Sequence, residues 1–125
     1  MSTQLLVRNF KATTATQYAR LVKPGSNDYD VVPAAAVSDL IIGVVAQPGV
    51  VSINDRCDVA MAGVAEVELG GTVTRGNEIT SDASGRGLAA APGAGTNNRI
   101  VGVALQSGVI GDIIEVLVSV GIKQG

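Results

Sequence analysis

The side chains able to do chemistry in this sequence are few, and their spacing points them to structural duty. Histidine, the commonest general base and a frequent metal ligand, is absent. The single cysteine, Cys57, falls on the apolar side of an alternating run, where a free thiol behaves as a small hydrophobe. Asp55, Asp58, Glu66 and Glu68 raise acid–base or calcium chemistry. However, Asp58, Glu66 and Glu68 share the charged side of that same run, and no loop has calcium-type Asp spacing. They read as a solvated face. Gly85-Arg86-Gly87 and Gly93-Ala94-Gly95 are glycine-rich as phosphate loops are, yet neither opens a helix and no Gly-Lys-Ser/Thr follows. The expectation is a non-enzymatic protein with no catalytic residue, no cofactor and no metal site.

The elements that would position such residues are strands, and one segment occurs twice. Ile42 to Met61 (IGVVAQPGVVSINDRCDVAM) and Val101 to Val118 (VGVALQSGVIGDIIEVLV) align with Gly43 on Gly102, Gln47 on Gln106, Gly49 on Gly108 and Val50 on Val109. With two residues removed from the turn, Asp55 meets Asp112, Asp58 meets Glu115 and Val59 meets Val116. Each copy is an apolar run, a Gly-bearing turn and a second run, the pattern of a strand pair. From the end of the first copy onward, Cys57, Val59, Met61, Gly63, Ala65, Val67 and Leu69 are small or apolar, while Arg56, Asp58, Glu66 and Glu68 alternate with them. That alternation predicts an extended stretch with one buried side. Its length predicts a bend or bulge at Gly63 dividing it into two strands.

The 125 residues suffice for one domain. Its core must be built from Ala, Val, Ile and Leu, because Trp is absent and Phe10, Tyr18 and Tyr29 are the only aromatics. So thin a core favours association between chains. A net charge of −2 with scattered Lys and Arg offers no basic stripe for nucleic acid, and so few aromatics offer no stacking surface for bases. No apolar run reaches the length of a membrane span, and MSTQLLVRNF has no secretion-signal pattern, so synthesis in a cytoplasm is the default.

Along the chain, Tyr18–Lys23, Tyr29–Val32 and the TVTRGNEIT stretch read as strands separated by Pro24-Gly25, Gly70-Gly71 and a polar turn over Ser81–Gly87. Ala34–Asp39 is a helical turn or a loop, and Ala89–Asn98 reads as a mobile surface loop. The prediction is an all-β fold: a small single domain of repeated strand-turn-strand units, barrel-like or sandwich-like, with little or no helix. Residues 12–125 form the β-rich domain. Residues 1–11 read as an N-terminal arm whose Leu5, Leu6, Val7, Arg8 and Phe10 contact another protein or another subunit, the alternative being an ordinary first strand.

The stretches IIGVVAQPG, DRCDVAMAGVAEVELGGTVTRGNEITSDASGRGLAA and RIVGVALQSGVIGDIIEVLVSVG together resemble the tailed-bacteriophage capsid cement (decoration) family. Gly43, Gly63, Gly70, Gly71, Gly76, Asp82, Gly85, Gly102, Ala104, Asp112 and Val116 match its pattern over roughly Tyr18 to Gly121, while Asn77 stands where the family more often has Asp. The resemblance implies a homotrimer whose partner is the major capsid protein. Such a trimer sits at three-fold and quasi-three-fold positions on the outer surface of an icosahedral head and stiffens it, with no small-molecule, nucleic-acid or membrane partner. It places the protein in the virion after synthesis in a bacterial host. Two other readings compete. One is a trimeric β-module of a head fibre or tail. The other is a lipoyl- or biotinyl-type carrier domain, which requires a lysine on the hairpin between the copies, whereas Lys11, Lys23 and Lys123 are the only lysines.

Overall fold

In the computed structural model, which describes residues 5–125, alternation between apolar and polar side chains is converted into eleven strands and no helix. They are β1 (Leu5–Ala12), β2 (Thr16–Gln17), β3 (Leu21–Pro24), β4 (Asp30–Pro33), β5 (Gly43–Val45), β6 (Val50–Val51), β7 (Arg56–Glu68), β8 (Glu78–Ser81), β9 (Gly87–Ala89), β10 (Asn97–Ala104) and β11 (Ile113–Gln124). Nine of them share one sheet, ordered β1-β4-β3-β5-β7-β11-β10-β8-β9. Because β1 also pairs with β7, the first five close into a barrel. Closure shortens the free edge a small open sheet would carry, although β4 meets β1 only at Lys11 and Ala12.

β7 belongs to both halves of the molecule. Its first part, Arg56 to Gly63, pairs with β1, and Val59 and Ala60 pair with β5 as well; Gly63 to Glu68 pair with β11. The expected bend is there: Gly63 has φ +98°, and the β1 register slips between Leu6 and Val7, leaving Met61 unpaired in a bulge. The expected division is not. The strand runs unbroken, because neighbours on either side of Gly63 keep its hydrogen bonds satisfied.

The duplication is structural as well as sequential. Val44 pairs with Ala60 and Val45 with Val59; in the second copy Val103 pairs with Leu117 and Ala104 with Val116, the same register. The next backbone bond repeats too, Ala46 N donating to Asp58 O (2.8 Å) and Leu105 N to Glu115 O (2.9 Å). Both turns close by donation to the residue three earlier, Asp55 N to Ser52 O and Asp112 N to Val109 O, each 3.0 Å. The residue before each Asp, Asn54 or Gly111, has positive φ.

Two apolar clusters follow from this layout. Phe10, Ala12, Val22, Val31, Val45, Val51, Cys57 and Val59 fill the barrel. Leu21, Ile41, Val44, Ala60, Val67, Leu69, Ile79, Val101 and Val116 are among those forming a second, larger core. Neighbouring residues Val44 and Val45 enter different clusters, so β5 is buried on both faces and reads as a continuous apolar run. The accessible surface of 6303 Å² matches the roughly 6200 Å² that the area–mass relation gives for a compact monomer of this mass.

Two expectations need correcting, and one alternative is decided. From Leu5 onward the N-terminal segment is not an arm but the strand that closes the barrel, and it extends one residue past the expected boundary, to Ala12. Ala34–Asp39 takes the loop alternative, forming turns and bends with no helix. The loop expected over Ala89–Asn98 spans only Ala90–Thr96, because Ala89 ends β9 and Asn97 begins β10 opposite Gln124.

Candidate interaction surface

The residues singled out for chemistry are placed apart. Cys57 is wholly buried in the barrel, and burial first, then the nearby Asp58 carboxylate, pushes its thiol pKa up, away from the nucleophilic thiolate. Asp58 accepts from Asn9 Nδ2 (3.2 Å), and Arg56 Nε donates to Asn9 Oδ1 (2.6 Å), tying the outside of β7 to β1. The Gly85-Arg86-Gly87 turn is wrapped around a carboxylate of its own chain. Asp82 Oδ1 accepts from the backbone of Ser84 and Arg86 (both 2.8 Å), and Asp82 Oδ2 pairs with Arg86 Nε at 3.2 Å. Among the described residues no group of three His, Cys, Asp or Glu is placed to hold a metal.

The contact residues proposed for the N-terminus divide by burial. Leu6, Val7 and Arg8 are exposed, and the Arg8 guanidinium lies 4.5 Å over the Tyr29 ring, a cation–π contact. Phe10 is buried and packs at 6.2 Å from the same ring, so it is unavailable to a partner. Leu5 pairs opposite Gly63 in the backbone ladder. β4 joins β1 only at Lys11 and Ala12, so among the described residues the Leu5–Phe10 edge facing away from β7 has no backbone partner.

A second surface escaped the sequence reading. Both repeat connections display exposed β-branched apolar side chains: Val50, in β6, and the turn residue Ile53 in the first, Val109 and Ile110 in the second, all more than half exposed. Near the first lies a shallow cleft of about 280 Å³ between Gln17, Tyr18, Gly49, Val50, Glu68 and Ile113. On the other side of Tyr18 is a cleft of about 250 Å³, walled by Val45, Ala46, Val64 and Ala65, with Glu66 and Glu115 at its polar side. The signal in the sequence was apolar residues at turn positions, repeated at aligned places.

Glu66 and Glu115 sit directly opposite each other on β7 and β11, a like-charge pair that costs stability. Glu68 is paired with Arg20 (3.3 Å), but no ion pair to Glu66 or Glu115 forms among the described residues. The Tyr18 hydroxyl donates to Glu66. Burial, with that bond and the carboxylate charge, raises the Tyr18 pKa from 10.0 to about 12. A raised pKa stabilises the fold fully below pH 10, and this contribution is lost as pH rises through about 12. Tyr18→Phe is therefore expected to remove one component of alkaline destabilisation between those values, read from urea midpoints across the range. An unchanged alkaline slope in the variant would refute the linkage.

No family model matches this chain, and no curated protein matches it. Among solved structures it is similar to the head fiber gp8.5 N base of bacteriophage phi29, with a TM-score of 0.70 and 17% identity, over 93% of this chain and 95% of that one. At that identity the likeness is one of fold, and it spans both halves of the molecule.

Proposed function

We propose that this chain is a structural protein of a bacteriophage virion: a homotrimeric capsid cement protein that binds the outer face of the head at three-fold and quasi-three-fold positions. The observation that carries the virion reading is the whole-length fold likeness to a phage head-fibre base, joined to the cement-family resemblance in the order of its turns. The geometry supports it. The conspicuous surface features are exposed apolar turns, an open strand edge and opposed carboxylates, all suited to protein contact. Repetition over a shell lets weak contacts sum. The same fold likeness favours one second reading, that the chain is the base of a head fibre.

Co-sedimentation with purified heads lacking the protein tests the first reading, with copy number separating it from the second. Saturable binding at a copy number comparable to that of the major capsid protein, with heads that resist heating better, is the expected result. Binding at far fewer copies would favour the fibre base. No binding to heads would sink both.

A further inference from the structure

The two surfaces described above complement each other. One is acidic and apolar: Glu66 and Glu115 without a paired cation, beside exposed Val50, Ile113 and Leu117. Its cleft walls, Val45, Ala46, Val64 and Ala65, suit the aliphatic stem of a long basic side chain. The opposed carboxylates would then receive the charged head in charge-assisted hydrogen bonds, which also relieves their mutual repulsion. The other surface is a strand edge that is mainly basic and apolar: exposed Leu6, Val7 and Arg8 on β1, with Arg56 opposite Lys11 on the other face of the strand pair from Arg8, Asp58 tied to Asn9 beside Arg56, and an unpaired backbone edge alongside. Such an edge accepts a neighbouring chain readily.

We propose that the β1 edge of one copy docks, head to tail, on the Glu66–Glu115 face of the next copy. The occupant is a second copy of this chain because the complementary charge and the complementary apolar groups are both present on it. The contact is heterologous, so successive copies close into a ring when the rotation permits. This deepens the homotrimer reading above and rests on it, by naming the two surfaces that meet.

Light scattering on the full chain across a concentration series tests the pairing. The unmodified protein is expected to give a trimer mass. Glu66→Arg with Glu115→Arg, and separately Arg8→Glu with Arg56→Glu, should each be folded monomers. Like charges brought together at an interface cost several kcal/mol, so dissociation should shift about 100-fold or more in concentration. Combining all four reversals in one chain restores opposite charges at every contact of the ring and should restore the trimer. Val50→Asp and Leu6→Asp alter side chains that make no polar contact within the chain, and circular dichroism verifies their folding. Each of them should also dissociate the trimer.

An unmodified protein that stays monomeric at every concentration overturns both the trimer and the docking. A trimer that persists through both charge reversals and both Asp variants overturns the docking alone. Dissociation by each reversal without recovery in the chain that carries all four overturns the head-to-tail pairing.

Discussion

Gly102→Ala is expected to destabilise the fold by about 3 kcal/mol or more, lowering the thermal midpoint by roughly 10–20 °C. A Cβ at position 102 would stand well inside contact distance of the Leu117 carbonyl oxygen, 2.8 Å from its carbon and 3.1 Å from Ser119 N. These are backbone atoms in a paired strand, beside the register slip between Ile100 and Gly102, so no rotamer change relieves the clash. The aligned residue of the first copy has the same constraint. At Gly43 a Cβ would collide with the Ala60 carbonyl oxygen, and Ala60 aligns with Leu117. Gly43→Ala should therefore cost a similar amount. Gly121→Ala is the control: it lies in the same strand pair, but its Cβ would meet nothing nearer than Ile100 Cγ1 at 3.8 Å. Its expected change is within about 1 kcal/mol. Equal midpoints for the 102 and 121 variants would refute the close-approach account.

The second large effect concerns the first strand. Phe10→Ala should cost about 3–5 kcal/mol, since the ring is buried among Ala12, Val22, Val31 and Cys57 in a barrel with no other phenyl group. A domain of this kind holds only about 5–15 kcal/mol in all, so that single change removes much of the margin. Deleting residues up to Lys11 goes further. It takes away the strand that pairs with β7 from Arg56 to Gly63 and meets β4 at Lys11, so no cooperative unfolding transition is expected for the truncated chain. Leu6→Ala, on an exposed position of the same strand, should shift stability by no more than about 0.5 kcal/mol. A truncated protein that still melts cooperatively would restore the arm and overturn the barrel closure. The same contrast bears on function: head binding by the Leu6 variant tests contact, while loss of binding on truncation would report only unfolding.

Much of this was legible in the residues. The alternation from Arg56 to Glu68 put Cys57, Val59 and Val67 inside and Asp58 and Glu66 outside, as found, because successive strand side chains point to opposite faces. The duplicated segment carried its register with it. Aligned glycines permit the same close crossing and aligned turn residues close the same bonds. The N-terminal strand was not legible as such. Leu6 to Asn9 are exposed, which is the pattern of a segment outside the core, and its pairing to β7 lies some fifty positions away along the chain. The Tyr18–Glu66–Glu115 grouping was equally hidden, since its members come from three separate segments.

Local chemistry therefore settled the two strand-turn-strand copies and which side chains of β7 face inward. These follow from the period of two and from residue types, properties of neighbours in sequence. Only the tertiary structure decided that β7 is shared by two halves, that β1 closes a barrel, and that two carboxylates oppose each other beside Tyr18. Those are pairings between strands distant in the chain, chosen by which apolar faces can be buried together, and no local pattern contains that choice.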